Sequence, residues 1–320
     1  MTVLITGAAG FIGVNLARRL LDAGHRVAGI DNFCRGLPEN LAGLRAHPGF
    51  SFVEADLSDL DVFRDAARHF HAQEGITEVW HMAANSDIPA GIADPGVDLR
   101  DTFMTTFNTL QVMRELSVPA LAFASTSAIY GDLKGERIRE DVGPLFPISN
   151  YGAMKLASEA AISAAVEAWL PQAWLFRFPN VIGVPATHGA LLDFVRKLAR
   201  TPGNLDVLGD GTQQKPYLHV SDLVDAMLHI RDRASERLAF YNIGPDDEGV
   251  SVRYMAEQVV AAASPSATIT YGKGNKGWVG DVPRVAYAVG KLAALGWRTG
   301  MDSAGAVRRA VAEIVAQERG

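Results

Sequence analysis

The chain has 320 residues, 48% of them hydrophobic, so it can bury a large core and is not expected to be disordered. Its 36 acidic and 30 basic residues are mixed along the sequence and give a net charge of −6, which argues against a nucleic-acid partner. Cys34 is the single cysteine, and no apolar run reaches the roughly 18 residues of a membrane span. We therefore expect a cytoplasmic protein with no membrane partner.

Short apolar runs alternate with helical patterns through the first half of the chain. Strands are predicted at 2–6, 26–30, 50–53, 78–82, 120–124 and 173–178. These runs are continuous rather than alternating, which is typical of parallel strands that are buried on both faces. Helices long enough to cross back over such a sheet are predicted at 13–23, 60–73, 99–116 and 152–168. The pattern predicts an α/β fold with a Rossmann-type doubly wound parallel sheet.

The alternation of strand and helix patterns ends after about Asn180, where glycine and proline become more scattered. A helix is predicted near 191–199, a loop at 208–217, and a helix at 220–229 that returns to the main sheet. We predict a first domain over 1–180 with a returning segment near 216–245. The remaining segments, 181–215 and 246–320, are predicted to form a smaller C-terminal α/β substrate domain.

A glycine-rich loop, ITGAAGFIG, connects the first strand to the first helix. Gly7 would permit a tight turn, Gly10 a close approach of the backbone to a pyrophosphate, and Gly13 close packing of the helix. The free N–H groups of the helix start would face the anion. The alternative is an ordinary strand-to-helix turn without a ligand.

Acidic residues after the second and third strands favour the dinucleotide interpretation. Asp31 lies about 20 residues beyond the glycine loop, where a carboxylate can accept hydrogen bonds from the adenosine ribose. Its charge would repel a 2′-phosphate and favours NAD over NADP, although the nearby Arg35 could receive that phosphate. Asp56 could contact adenine or, equally well, cap the helix that begins at Leu60.

Tyr151 and Lys155 are four residues apart in a strongly helical segment, so their side chains share one face. A lysine ammonium beside a phenol is expected to lower the tyrosine pKa toward neutrality, where the phenol can act as an acid or base. The same lysine could bind the nicotinamide ribose. Such a pair is also common on helix surfaces without any function.

The fifth strand leads into ASTSAIYG and brings the hydroxyls of Ser125, Thr126 and Ser127 to the carboxyl edge of the sheet. Ligands of open parallel sheets bind at this edge. Thr126 is the preferred candidate to orient a substrate oxygen near the tyrosine. Ser125 is expected to cap a turn instead.

An ordered series of motifs resembles the extended short-chain dehydrogenase/reductase family and, within it, the nucleotide-sugar 4-epimerases. The resemblance covers nearly the whole chain. The motifs, in the order of that family, are TGAAGFIG, DNFCRGLPENL, EADLSD, HMAAN, STSAIYG, YGAMK, RFPNVIG, LGDGTQQKPYLHVSD and GDVPRVAYAVGKLAALGW. Each motif is weak alone, but the series is specific.

The resemblance implies an NAD-dependent isomerase that epimerises a nucleotide sugar at C4, of the UDP-glucose/UDP-galactose type. Its catalytic residues would be Thr126, Tyr151 and Lys155. Residues implied to bind NAD are Gly7, Gly10, Phe11, Ile12, Gly13, Asp31, Asn32, Asp56, Leu57, Ala83, Ala84 and Lys155. Residues implied to bind the nucleotide sugar are Asn85, Thr126, Tyr151, Asn180 and Lys215. No metal is expected, and relatives form homodimers through two helices that correspond to those from Leu99 and Gly152.

Four residues, in three segments of the chain, depart from the pattern of that family. Lys215 stands where many relatives carry arginine; it can neutralise a phosphate but gives up the bidentate fork. Trp278 and Val279 occupy a stretch where relatives often have another phosphate-binding arginine. Thr102 replaces the usual asparagine, an exchange that can be a tolerated polar substitution.

The residues that follow Thr126 bear on the reaction type. Relatives that dehydrate the sugar carry an Asp and a Glu there, because removing a C5 proton and expelling a C6 hydroxyl needs an acid and a base. This chain has Ser127 and Ala128. Epimerisation of a UDP-hexose is therefore favoured. The alternatives are a 4,6-dehydratase or other sugar-modifying oxidoreductase, and a catalytically silent NAD-binding regulator.

Overall fold

The structure is a computed structural model that describes residues 1–133, 136–274 and 286–320. The chain divides into two compact units. The first comprises Met1–Gly131, Leu145–Arg177 and Met227–Tyr241, and the second comprises Asp132–Pro144, Phe178–Ala226 and Asn242–Gly320. The stretch from Asp132 to Pro144 thus groups with the second unit, whereas the sequence prediction assigned it to the first domain. The assignment of NAD binding to the first domain and of substrate binding to the second stays a prediction.

A seven-stranded sheet forms the centre of the first unit. Its strands are β1 (Thr2–Thr6), β2 (Arg26–Asp31), β3 (Phe50–Glu54), β4 (Ile76–His81), β5 (Ala120–Thr126), β6 (Gln172–Phe178) and β7 (Leu238–Asn242). The spatial order is β7-β6-β5-β4-β1-β2-β3. β1 pairs in parallel with both β2 and β4, and the order reverses between those neighbours. The predicted doubly wound Rossmann-type fold is confirmed.

Burial explains why these segments are strands. Every residue of β1 and of β5 is buried, so each strand is covered on both faces, as the continuous apolar runs predicted. The six predicted strands agree with the structure to within two residues at each end. β7 was not predicted as a strand, because its sequence LAFYN is short and stands apart from the βαβ rhythm of the first half.

Four long helices accompany these strands in the first unit. They are α1 (Phe11–Asp22), α2 (Leu60–Glu74), α3 (Thr105–Leu116) and α4 (Asn150–Ala168). Asp59 caps α2 by accepting hydrogen bonds from the backbone of the first turn, and Ser149 caps α4 in the same way. Shorter helical segments are Pro38–Leu41, Ala42–Arg45, Ile88–Ala93, Pro95–Asp98 and Ser127–Tyr130, together with a π-helical segment, Leu99–Met104.

The hydrophobic core of the first unit combines residues of the strands with residues of α2, α3 and α4. Leu4, Phe63, Phe70, Phe123 and Ile162 are members, and each is at most 2% exposed. Close packing of large side chains against the sheet fixes the strand ends, and with them the loops that follow.

The second unit is built from short strands in pairs. The pairs are Gln214–Lys215 with Val250–Ser251, Tyr217–His219 with Asn180–Ile182, Thr268–Tyr271 with Asn204–Val207, and Ala286–Tyr287 with Arg137–Ile138. Its helices are Ala190–Arg200, Val252–Ala263, Gly290–Ala294 and Ser303–Arg319, and the helix Val220–Arg233 runs from this unit into the first. The predicted loop at 208–217 is in part wrong, because the backbone at Gln214 and Lys215 pairs with another strand.

Within the described residues, no helix has both the length and the apolar composition that a membrane crossing requires.

Candidate active site

The glycine loop lies at the carboxyl end of β1, next to the point where the strand order reverses. Gly7 has φ +70°, and a Cβ there would lie 2.8 Å from the backbone nitrogen of Ala83. A Cβ at Gly13 would lie 2.1 Å from the carbonyl oxygen of Gly7. Both positions therefore require glycine for close packing of the chain.

The outer face of the same loop is open. A Cβ at Gly10 would have one atom within 4 Å, the carbonyl oxygen of Gly7 at 3.2 Å. α1 begins at Phe11 without a side-chain cap or an acidic residue in its first turn. Backbone N–H groups at this helix start can thus bind an anion, and the residues present fit the pyrophosphate of a dinucleotide. Phe11 and Ile12, predicted to bind NAD, lie in this first turn.

Asp31 is the last residue of β2, and its carboxylate is hydrogen-bonded to the glycine loop. Its carboxylate accepts hydrogen bonds from the backbone N–H of Ala9 at 2.9 Å and of Phe33 at 2.8 Å. Burial raises the pKa of Asp31, and hydrogen bonds from Phe33 and Ala9 oppose that shift. Arg35, the candidate for a 2′-phosphate, instead forms an ion pair with Asp87 at 3.0 Å.

Asp56 and Asn32 form a second polar group on this edge. Asn32 Nδ2 donates to Asp56 Oδ2 at 3.1 Å, and the backbone N–H of Ser58 donates to Asp56 Oδ1 at 2.8 Å. Burial raises the pKa of Asp56, but hydrogen bonds from the side chain and backbone of Ser58 and from Asn32, together with the charge of Arg100, outweigh burial and lower it. The cap of α2 is Asp59, so Asp56 does not serve that helix, and an adenine contact for Asp56, beside Leu57, stays a prediction.

The loop after β4 begins with Ala83 and Ala84 and continues to Asn85. Asn85 is 4% exposed, and its Nδ2 donates to the Asp87 carbonyl at 3.0 Å and to Asp98 Oδ1 at 2.8 Å. Its Oδ1 accepts from the backbone N–H of Asp87 at 2.9 Å. The Asn85 amide therefore holds its own loop together, while the substrate contact that we predicted for it stays a prediction.

The three predicted catalytic side chains come from β5 and α4. β5 ends at Thr126, and α4 carries Tyr151 and Lys155 one turn apart. Lys155 is 2% exposed; its Nζ donates to the Ala124 carbonyl at 2.6 Å and lies 4.6 Å from the centroid of the Phe123 ring. The same nitrogen lies 5.9 Å from the centroid of the Tyr151 ring, and the Thr126 side chain is close enough to the Tyr151 hydroxyl to influence its pKa. The structure brings the three together at the carboxyl edge of the sheet.

The pKa values of this pair are set mainly by burial. Burial raises the pKa of Tyr151 to about 12; the hydrogen bond with Thr126 opposes the shift and the charge of Asp98 adds to it. Burial lowers the pKa of Lys155 to about 7, and the charge of Glu159 opposes that shift. The sequence led us to expect a lowered tyrosine pKa, but the Lys155 ammonium donates to a carbonyl, and burial of the partly exposed phenol raises its pKa instead. Tyr151 is thus a neutral phenol at pH 7.

Three buried residues near this site were missed by the sequence interpretation. Glu159 and Arg177 form an ion pair, and Asp98 is fully buried with its Oδ1 bonded to Asn85. Only Glu159 carries a sequence signal, because it lies four residues beyond Lys155 and shares its helix face. Asp98 and Arg177 come close to the pair through the tertiary fold.

Two further predicted residues belong to the second unit. Asn180 begins the strand Asn180–Ile182 and is exposed. Lys215 is half-buried and ends the strand Gln214–Lys215. Trp278 and Val279 lie outside the described residues. Within the described residues, no group of three or more His, Cys, Asp or Glu side chains could hold a metal ion.

The strand order, the glycine loop at its reversal point and the Tyr–Lys pair at its carboxyl edge define a Rossmann-fold, dinucleotide-dependent enzyme. The family model described as "NAD dependent epimerase/dehydratase family" matches residues 3–244. The chain belongs to this family, and its cofactor is NAD.

Similar proteins span nearly the same length as this chain. It is 30% identical over 272 residues to the UDP-glucose 4-epimerase of Corynebacterium glutamicum, covering 80% of this chain and 79% of that protein. It is 28% identical over 317 residues to the UDP-glucose 4-epimerase of Azospirillum brasilense, covering 92% and 86%. A crystal structure of a UDP-galactose 4-epimerase superimposes with a TM-score of 0.86 at 31% identity, covering 99% of both chains. The Thermus thermophilus UDP-glucose 4-epimerase in complex with NAD gives 0.83 at 28%, covering 98% and 99%.

Proposed function

We propose that this chain epimerises a nucleotide sugar at C4 through a transient 4-keto sugar, with a UDP-hexose as its substrate. The observation that carries the proposal is the cluster of Thr126, Tyr151 and Lys155 at the carboxyl edge of the sheet. The residues after Thr126 provide no acid: Ser127 and Ala128 begin a short helical turn, and the Ala128 N–H donates to Thr126 Oγ1 at 3.2 Å. The cluster therefore supports reversible oxidation of an alcohol and lacks the acid–base pair that a dehydratase needs at this point.

Each side chain of the cluster has a separate task. Tyr151 takes the proton of the sugar 4-hydroxyl and later returns it, while Thr126 orients the reacting oxygen. Lys155 supplies a positive charge 5.9 Å from the phenol ring, which stabilises the phenolate that Tyr151 must form before it can accept that proton. NAD, when bound, accepts a hydride from the sugar carbon and returns it.

The raised pKa of Tyr151 fits a residue that works on both sides of this cycle. With a pKa of about 12, the Tyr151 phenol holds its proton in the resting protein. It would release that proton to water, favoured by the positive charges of Lys155 and of bound NAD, before it accepts the proton of the sugar hydroxyl. The 4-keto sugar must rotate in its pocket between the two hydride transfers, so that the hydride returns to its opposite face. No residue beyond the cluster is required for the second transfer, because it is the reverse of the first.

Binding roles follow as part of the proposal. The N–H groups between Gly10 and Gly13 would bind the NAD pyrophosphate, and Asp31 the adenosine ribose. Asn180 and Lys215 would bind the diphosphate of the nucleotide sugar, Lys215 as a point charge. UDP is the proposed nucleotide because the relatives bear names of UDP-sugar enzymes.

We also propose that the protein is a cytoplasmic homodimer. Leu99 and Phe107 are 50% and 43% exposed along the helical segment 99–116, and Phe103 stacks against Phe107 at 6.3 Å. An exposed apolar stripe of this kind supports pairing of two copies. Light scattering should give the mass of two chains, and a monomer at micromolar concentration would contradict the dimer.

A panel of UDP-, dTDP-, GDP- and CDP-sugars in heavy water, followed by NMR, tests the function. We expect a C4 epimer without deuterium on the sugar carbons, because the hydride returns directly. Tyr151→Phe should lower turnover by at least about 100-fold, since proton transfer by a positioned side chain contributes on that order. A 4-keto-6-deoxy sugar that carries deuterium would indicate a dehydratase. Tight NAD binding without conversion of any sugar would indicate a silent regulator.

A further inference from the structure

A buried ion pair lies directly behind the catalytic cluster. Arg177 Nε donates to Glu159 Oε1 at 3.0 Å, and its Nη2 donates to Glu159 Oε2 at 2.6 Å, so the contact is bidentate. The side chains are 9% and 6% exposed. Arg177 Nη1 also donates to the Tyr130 hydroxyl at 2.9 Å, and the guanidinium packs on the Phe240 ring at 5.0 Å. Every oxygen of the carboxylate therefore has a partner.

Glu159 also takes part in a series of contacts between α4 and the last residues of β5. Ser125 Oγ donates to Glu159 Oε1 at 2.5 Å. One residue earlier on the strand, the Ala124 carbonyl accepts from Lys155 at 2.6 Å. One residue later, the Thr126 side chain is close enough to the Tyr151 hydroxyl to oppose the rise of its pKa. Two consecutive strand residues thus hold Lys155 and Glu159, and the third is near Tyr151, three side chains at four-residue spacing on one helix face.

We infer that Glu159 is a positioning residue of the active site, whose carboxylate, fixed by Arg177 and Ser125, keeps the Lys155 ammonium charged and in register with Tyr151. The inference rests on the proposed function, in which that ammonium stabilises the Tyr151 phenolate. Glu159 itself touches neither the reacting atoms nor the proposed NAD contacts.

The charges around Lys155 make Glu159 the residue that favours its protonated form. Burial lowers the pKa of Lys155 to about 7, and the Glu159 carboxylate raises it. From β4, His81 faces the same region, and burial together with Lys155 lowers its pKa to about 3, so it is neutral at pH 7. Tyr151 is neutral, and Asp98 acts on Tyr151. From β6, Arg177 reaches this group through Glu159.

A purely structural role would not require the charges. A buried ion pair is often replaced by well-packed apolar side chains without loss of stability, because desolvation offsets the attraction. A carboxylate one turn from a buried ammonium does something that an apolar pair cannot do. It offsets the cost of keeping Lys155 charged in a site where water is excluded.

Glu159→Gln tests this inference, because it preserves the shape of the side chain and removes its charge. The main readout is the NMR titration of lysine ε-carbons labelled with ¹³C, in which the Lys155 signal is identified by its loss in Lys155→Met. We expect the Lys155 midpoint to fall by about one pH unit in Glu159→Gln, since a nearby opposite charge contributes that much or more. The alkaline limb of the kcat profile should move to lower pH by the same amount.

Two further variants keep the test decisive. Glu159→Gln combined with Arg177→Met removes both charges, avoids an unpaired buried arginine, and should give a midpoint between the wild type and Glu159→Gln. Glu78→Gln is the matched control, since Glu78 is also a buried partner of a bidentate arginine, Arg231, and stands near the opposite end of the sheet. It should cost similar stability and leave the Lys155 midpoint unchanged.

An unchanged Lys155 midpoint in folded Glu159→Gln, or in the double variant if the single one does not fold, overturns the inference. The titration does not depend on turnover. If the midpoint shifts but no nucleotide sugar is converted, the proposed function fails and the electrostatic role of Glu159 stands. If sugars are converted and the midpoint is fixed, the function stands and Glu159 is only structural.

Discussion

Lys155 has exchanged water for the Ala124 carbonyl and the face of the Phe123 ring, and this exchange controls its chemistry. The cation–π contact and the single carbonyl do not replace full hydration, so the charged form is held at a cost. Tyr151, one turn earlier on the helix, stays partly exposed, and burial of its hydroxyl raises its pKa. The spacing of the two residues could be read from the sequence, but the directions of their pKa shifts could not, because burial arises from the tertiary fold.

Replacing Lys155 by methionine should abolish turnover and stabilise the protein at neutral pH. The folded pKa of about 7 is below the unfolded value, so the unfolded chain binds more protons and stability rises between about pH 7 and 10.5. Such a shift corresponds to roughly 4 kcal/mol at pH 7. The Ala124 carbonyl would lose its hydrogen-bond donor, which reduces this gain in the free energy of unfolding by about 1–3 kcal/mol.

We therefore expect Lys155→Met to unfold with about 2 kcal/mol more free energy at pH 7 and to lack the alkaline rise. Urea denaturation at pH 7, 8.5 and 10 measures both. Equal or lower stability of the variant at pH 7 would show that burial of the Lys155 ammonium does not destabilise the folded protein.

At the scale of elements, the site depends on where strands end and helices begin. The glycine spacing predicted the β1–α1 turn, and the structure shows the contacts that require it at Gly7 and Gly13. The sequence also predicted one helix over 99–116, but the first part is the π-helical segment Leu99–Met104. No local pattern marks that change. Thr102 in this segment accepts a hydrogen bond from the Asn85 N–H, a partner 17 residues away.

Gly13→Ala should disrupt the contact between α1 and the glycine loop. The added Cβ would lie 2.1 Å from the Gly7 carbonyl oxygen, which is backbone and cannot move without opening the anion site. We expect a loss of about 1–3 kcal/mol in stability and at least a tenfold weaker NAD affinity. Denaturant unfolding and a titration with NAD measure the two effects.

Gly24→Ala is the control for Gly13→Ala. Gly24 has φ +80° and no atom within 4 Å of an added Cβ, so only backbone strain of about 1–2 kcal/mol is expected. Its NAD affinity should match the wild type. If Gly13→Ala also bound NAD like the wild type, the glycine loop would not be the cofactor site.

A buried polar chain connects β1, β4 and α3. His81 is fully buried, with its Nδ1 2.7 Å from Thr6 Oγ1 and its Nε2 3.0 Å from Thr106 Oγ1. Burial, with a smaller effect of Lys155, lowers the pKa of His81 to about 3. The folded value is below the unfolded one, so His81 contributes stability above about pH 6.5 that is lost as the pH falls toward 3.

His81→Gln should therefore flatten the acid dependence of stability. We expect the difference between variant and wild type to shrink by up to about 1.4 kcal/mol for each pH unit between pH 6 and 4. Unfolding in urea across that range measures it. Exposed His47, replaced by Gln, serves as the control and should leave the slope unchanged. Parallel curves for His81→Gln and the wild type would mean that His81 is protonated in the folded state.

At the scale of the molecule, the candidate NAD and catalytic residues lie in the first unit, and Asn180 and Lys215 lie in the second. The continuous apolar runs were enough to predict the parallel sheet and its fold class. They were not enough to predict that Asp132–Pro144 groups with the second unit, because this stretch is rich in charged residues and has no apolar run that would indicate which unit it packs against. Residues such as Arg177 and Asp98 join the site through the fold, not through a motif.

A nucleotide sugar deuterated at C4 gives the most direct test of the central claim. If Tyr151 and Lys155 serve a reversible hydride transfer, the epimer that forms in ordinary water should keep its deuterium at C4, as NMR and mass spectrometry can measure. Loss of the label to solvent during epimerisation would contradict the account, because it would mean that C4 loses a proton instead of a hydride.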